Sequence, residues 1–85
     1  MQLKLTWRVK DQPDMDLLVS DEQKIAETME ILVEKGLLDM ETADSATYMK
    51  SLRTNNQVNI FLTYQEAEIY SGDILVLVDT QKDER

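Results

Sequence analysis

Carboxylates are the only side chains in this sequence numerous enough to suggest chemistry: there are 17, with no histidine and no cysteine. The groups most used for proton transfer near neutral pH, and for thiolate attack, are therefore missing. Two carboxylates can act as acid and base, but no pair stands apart by spacing, and most read as solvated faces. Asp14 and Asp16 flank the start of a strand. They do not form a calcium loop, which needs a central glycine and a terminal glutamate. Without cysteine there is no disulfide framework, iron–sulfur cluster or thiol chemistry. The residue types point away from an enzyme and suggest neither metal nor cofactor.

Against those acids stand nine lysines and arginines, for a formal net charge of −8. Neutralising nucleic-acid phosphates takes clustered cations, so a nucleic-acid partner is not expected. An anionic membrane surface is disfavoured for the same reason. No apolar run is long enough to span a bilayer, and the N-terminus alternates like a strand instead of opening as a signal peptide. The expectation is a cytoplasmic protein without direct membrane insertion. The 85 residues make one domain, residues 1–79, followed by a flexible polar tail, residues 80–85.

Leu3, Leu5, Trp7 and Val9 alternate with Gln2, Lys4, Thr6 and Arg8, which predicts a half-buried strand with Trp7 in the core. Asp11-Gln12-Pro13-Asp14 is a turn, and Met15–Val19 returns as the second arm of a hairpin. Ser20-Asp21-Glu22-Gln23 reads as a helix start, with Ser20 as cap and Gln23 in capping-box position. Ile25, Met29 and Leu32 carry the buried stripe, broadened by Ala26, Ile31 and Val33, and Gly36 ends the helix. Glu27, Glu30 and Glu34 fall on its other faces, as a solubilising surface or a docking surface for a basic partner. Within 37–46, Leu37, Leu38 and Met40 are expected to tuck onto the core, with Asp39–Ser45 a loop or frayed turn of helix. A third strand spans 47–54, Asn55-Asn56 turns, and 58–62 forms a short fourth strand. Residues 63–70 connect, anchored by Ile69, to a last strand from Asp73 to about Asp79.

That last strand contains Ile74-Leu75-Val76-Leu77-Val78, five apolar residues in a row. Side chains alternate across a sheet, so such a strand wants cover on both faces and belongs in the middle. Only one convincing helix is available. Either the second face is an exposed patch or something else covers it, which points to a protein that works by being bound.

Hairpin, helix, strand, short strand, connector and central strand together describe an α+β β-grasp: a mixed sheet of four to five strands with one main helix on one face. The chain resembles ubiquitin-like proteins in Met1-Gln2-Leu3, in Leu17 and Val19 closing the hairpin, and in Ile25 entering the helix six residues later. Leu62-Thr63-Tyr64-Gln65, Ile69 and Gly72-Asp73-Ile74-Leu75-Val76-Leu77 are similar to the end of the YukD/EsaB group, small bacterial proteins associated with type VII secretion. A few more residues separate Tyr64 from Gly72 than in that group, and the stretch after the helix is longer. The resemblance implies a noncovalent protein-binding adaptor, in the narrower form an accessory component of that secretion system. Conjugation is not expected, because the chain closes on Thr80-Gln81-Lys82-Asp83-Glu84-Arg85 and contains no Gly-Gly pair.

With Leu75 and Leu77 toward the core, Ile74, Val76 and Val78 point to the open face, beside Lys4, Thr6 and Arg8 of the first strand and Lys50 of the third. An apolar stripe rimmed by cations on an acidic protein is the candidate protein-binding site. Two other roles stay open: a small accessory subunit of a multicomponent enzyme, and a homodimer through the same face. The 37–46 segment could also shield the stripe.

Overall fold

The structure, a computed structural model, describes residues 1–10, 12–45 and 48–78, apart from the side chains of Thr42, Asp44, Ser45 and Val78. The expected polar tail, and the ends of the third and last strands at Thr47 and Asp79, lie outside the described residues. The elements are β1 (Gln2–Arg8), β2 (Met15–Ser20), α1 (Ile25–Glu34), α2 (Met40–Ser45), β3 (Tyr48–Ser51), β4 (Asn56–Asn59) and β5 (Ile74–Val78). The strands form one sheet in the order β2-β1-β5-β3-β4. β5 runs parallel to β1 and antiparallel to β3, so the apolar strand is central and the sheet is mixed. The α+β architecture expected from the sequence is therefore the one observed, with five strands.

Alternation in β1 explains the layering. Leu3, Leu5 and Trp7 are buried on the face that meets α1, joined by Leu75 and Leu77 of β5 and Met49 of β3. Ile25, Thr28, Met29 and Leu32 line the buried side of α1 at i, i+3, i+4 and i+7. The helix begins later than Ser20 suggested. Ser20 closes β2, and its hydroxyl accepts the Glu22 N–H at 3.2 Å. The helical residues start at Ile25, with Glu27 accepting the Lys24 N–H at 3.1 Å. The reason is tertiary: the first helical N–H groups are satisfied from a distance. Ile25 N–H donates to Leu62 C=O at 3.0 Å and Ala26 N–H to Ile60 C=O at 2.8 Å. The local capping box of Lys24 and Glu27 and the acceptors of a distant loop together satisfy the helix start.

Gly36 ends α1 as expected, at φ +74°. Its N–H donates to Val33 C=O at 3.1 Å and that of Leu37 to Leu32 C=O at 2.9 Å, the paired bonds of a Schellman turn. Open space surrounds the position a Cβ would take. Gly36→Ala should thus cost only the left-handed backbone penalty, about 1 kcal/mol in urea unfolding. A loss above about 3 kcal/mol would mean a packing role as well.

Four other expectations need correction. Of Leu37, Leu38 and Met40, only Leu38 is buried, because the chain leaves the Schellman turn along the surface into α2. Ile31 is exposed and does not broaden the buried stripe of α1. β3 stops at Ser51, since residues 52–55 turn with Asn55 at φ 63°. β4 covers Asn56–Asn59, which moves Asn56 from the turn into the strand and leaves Ile60 to Leu62 as the turn that accepts α1.

The connector is held from both ends. Thr63 and Glu66 bond reciprocally, each side chain accepting the other's N–H at 3.0 Å. Tyr64 is fully buried and donates to Thr28 Oγ1 at 2.8 Å. Ile69 is buried as the expected anchor.

Candidate functional site

β-Strand register decides which predicted residues meet on the outer face. Thr6 is paired with Ile74 and Arg8 with Val76 across the parallel β1–β5 ladder. Lys50 pairs with Val76 from the other side, and Tyr48 with Val78. Val76 therefore sits at the middle of the sheet with a cationic residue on each flanking strand. Ile74 and Val76 are half-buried, whereas Leu75 and Leu77, facing α1, are buried. Val78 occupies the outward register, and its side chain lies outside the described residues. Lys4 is exposed one pleat away, opposite Leu18 of β2.

The cations differ in how free they are. Arg8 is committed to Asp14 through two bonds, Nε to Oδ1 at 3.2 Å and Nη2 to Oδ2 at 3.1 Å. Those hydrogen bonds, with the mutual attraction of the charges, raise the guanidinium pKa and hold the Asp14 carboxyl below its ordinary value. Thr6 is likewise turned to the hairpin, donating from Oγ1 to Asp16 Oδ1 at 2.9 Å. Among the described residues neither Lys4 nor Lys50 has an ion-pair partner. The positive rim of the face is thus carried by the two lysines, with Arg8 paired to Asp14.

Several apolar residues of this face escaped sequence reasoning. Leu18 is 63% exposed, Leu52 is 42% exposed and its N–H donates to Ile74 C=O at 3.0 Å, and Tyr48 is 39% exposed opposite Val78. The hairpin register carried a signal for Leu18, since an outward Lys4 implies an outward partner two strands' width from β5. Leu52 had none, because it belongs to a turn. Segment 37–45 does not close the face: α2 packs on α1, and Ile74 and Val76 keep solvent access.

Among the described residues Asp73 is the one buried carboxylate, and it is engaged on both oxygens, by the Ser51 hydroxyl at 2.6 Å and by the N–H groups of Arg53 and Ile74 at 3.1 and 2.8 Å. No group of three or more potential metal ligands is assembled among the described residues. What the site offers is a shallow, mixed apolar and cationic surface on a rigid sheet.

Solved structures superpose on this fold over most of its length. A de novo designed protein based on ubiquitin superposes with a TM-score of 0.68 at 19% identity, covering 91% of this chain and 87% of its own. The fold is ubiquitin-like. The C-terminal ubiquitin-like domain of mouse tubulin-specific chaperone e matches with a TM-score of 0.65 at 13% identity, over 89% of this chain and 84% of that one. Caldiarchaeum subterraneum ubiquitin gives 0.64 at 13% identity, over 93% and 94%. At such identities the likeness is one of fold and does not separate one ubiquitin-like group from another. No family model matches the sequence, and no curated protein does. Among the described residues no helix of this ubiquitin-like domain is long and apolar enough to cross a membrane.

Proposed function

We propose that this chain is a noncovalent protein-binding adaptor of the cytoplasm, without catalytic activity, which docks a partner on the outer face of its sheet. The partner buries Ile74, Val76 and Val78, with Lys4 and Lys50 setting orientation, Leu18 and Leu52 extending the apolar contact, and Thr6 and Arg8 fixing the hairpin edge. The observation that carries the reading is Val76, half-exposed at the sheet centre with Arg8 and Lys50 in register on either side. Apolar centre and charged rim is the composition of an interface that excludes water at its middle and orients at its edge. The resemblance of Leu62–Gln65 and Gly72–Leu77 to the YukD/EsaB group takes the proposal one step further, to an accessory component of bacterial type VII secretion.

Affinity capture from detergent-solubilised source cells, with Val76→Glu in parallel, tests both levels. A glutamate at 76 meets Arg8 and Lys50 across the ladders, so the sheet should tolerate it while the face loses its apolar centre and its positive rim. Capture of a partner should fall at least about tenfold in the variant. Secretion components among the partners lost would support the narrower reading. A metabolic enzyme complex would replace it with the subunit role, and equal capture by both proteins would end the sheet-face proposal.

A further inference from the structure

The outer side of α1 repeats the geometry of its inner side. Glu27, Glu30, Ile31 and Glu34 stand at i, i+3, i+4 and i+7, two residues out of phase with the buried stripe, and all four are exposed. Ile31 is 43% exposed in the middle of three carboxylates, and beyond the Schellman turn Leu37 and Met40 are 50% and 62% exposed. A surface whose only task is solubility has no use for these apolar residues. Glu27, in the first turn, favours the helix, but the other two acids are placed at a cost to it. Glu30 and Glu34 repel at i, i+4, and Glu34 lies in the last turn, at the negative end of the dipole, where Lys35 at the C-cap offsets only part of the cost.

We propose that this side of α1, with Leu37 and Met40, is a second docking surface, and that its occupant is a cationic amphipathic helix of another protein. Apolar residues of that helix cover Ile31 and Leu37, and its lysines or arginines meet Glu27, Glu30 and Glu34. Charge complementarity selects this occupant. Lys4 and Lys50, without an ion-pair partner among the described residues, lie on the opposite face of the domain, so one partner does not suit both surfaces. An anionic lipid surface is repelled by the same three glutamates. A second copy meeting helix to helix would bring like charges together. The proposal stands apart from the sheet-face reading: two surfaces of opposite charge on opposite sides would let the domain bridge two partners.

The probe is an amidated leucine/lysine peptide of helical periodicity, titrated into the isotope-labelled full chain and followed by amide chemical shifts. Saturable shifts are expected along α1 and residues 35–41, sparing β5, and a scrambled peptide of equal composition should bind about tenfold more weakly. Ile31→Ser should weaken binding about tenfold, Glu30→Lys with Glu34→Lys should abolish saturation, and Val76→Glu should change nothing. Glu34→Lys should also raise Tm by about 1–3 °C, since it relieves the helix and shows that the variant folds. Equal binding of the scrambled peptide, or an unaffected Ile31→Ser, would reduce the surface to unspecific electrostatics and overturn the proposal. Shifts centred on β5, or self-association in place of peptide binding, would overturn it as well. An unchanged or lower Tm for Glu34→Lys would remove the ground for a cationic occupant.

Discussion

Asp73→Ala is expected to destabilise the domain by about 3 kcal/mol, the largest effect of any exchange outside the apolar core. Asp73 is 2% exposed and Ser51 0%, in a position where neither can turn to water. The carboxylate accepts the Ser51 hydroxyl at 2.6 Å through Oδ2 and the N–H groups of Arg53 and Ile74 through Oδ1. Alanine would leave a buried hydroxyl and two N–H groups without acceptors, at about 1–3 kcal/mol for each that stays dry. The contact matters for the proposed docking face because it fixes the start of β5 against the end of β3. Ser51 pairs with Leu75, and Lys50 next to it pairs with Val76, so the register that builds the outer face begins at this carboxylate. Equilibrium urea unfolding gives the loss of stability, and hydrogen exchange at the Leu52 and Ile74 amides gives the local opening. A loss below about 1 kcal/mol would show that Ser51 and the loop find other partners.

The elements carried by alternation were legible. Leu3, Leu5 and Trp7 on one face and Leu75 with Leu77 against them follow from a period of two, and the topology follows once a doubly apolar strand must be central. The helix start was not, because Ser20 and Gln23 fit a local cap while the acceptors for the Ile25 and Ala26 N–H groups come from Leu62 and Ile60, more than 30 positions away. The same limit hid Asp73. A lone aspartate before a strand reads as a turn residue, and only the return of β3 brings Ser51 and Arg53 to it. On the outer face, the register of Ile74 and Val76 came from the strand period. The pairing of Arg8 with Asp14 depends on how the hairpin folds back, which spacing alone does not reveal. Sequence pattern located the outer face of the sheet, and the tertiary contacts decide which of its charges are paired within the domain.

Tyr64 gives the domain a stability that should be lost in alkali. Burial pushes its hydroxyl up to about 12 from an ordinary value of 10.0, against the opposing hydrogen bond with Thr28 and the smaller influence of Trp7. Trp7 Nε1 itself makes no hydrogen bond of good geometry, yet lies where it favours the ionised phenol. Below pH 10 the phenol is protonated folded and unfolded, and stability does not depend on it. Between about pH 10 and 12 the unfolded chain releases the proton and the folded one keeps it, so stability falls by up to about 1.4 kcal/mol per pH unit. Across the window the loss is about 2–3 kcal/mol, and above the folded value it levels off because both states are ionised. Tyr64→Phe removes the bond to Thr28 Oγ1, which costs about 1 kcal/mol at neutral pH, and it also removes the alkaline loss. The two curves should therefore cross: the native chain is the more stable protein near pH 8 and the less stable near pH 12. Urea unfolding of both proteins across that range measures the crossing. A constant difference between them would mean that Tyr64 ionises as readily inside the fold as outside it, and that the packing of Trp7, Thr28 and Tyr64 beneath the sheet is open to water.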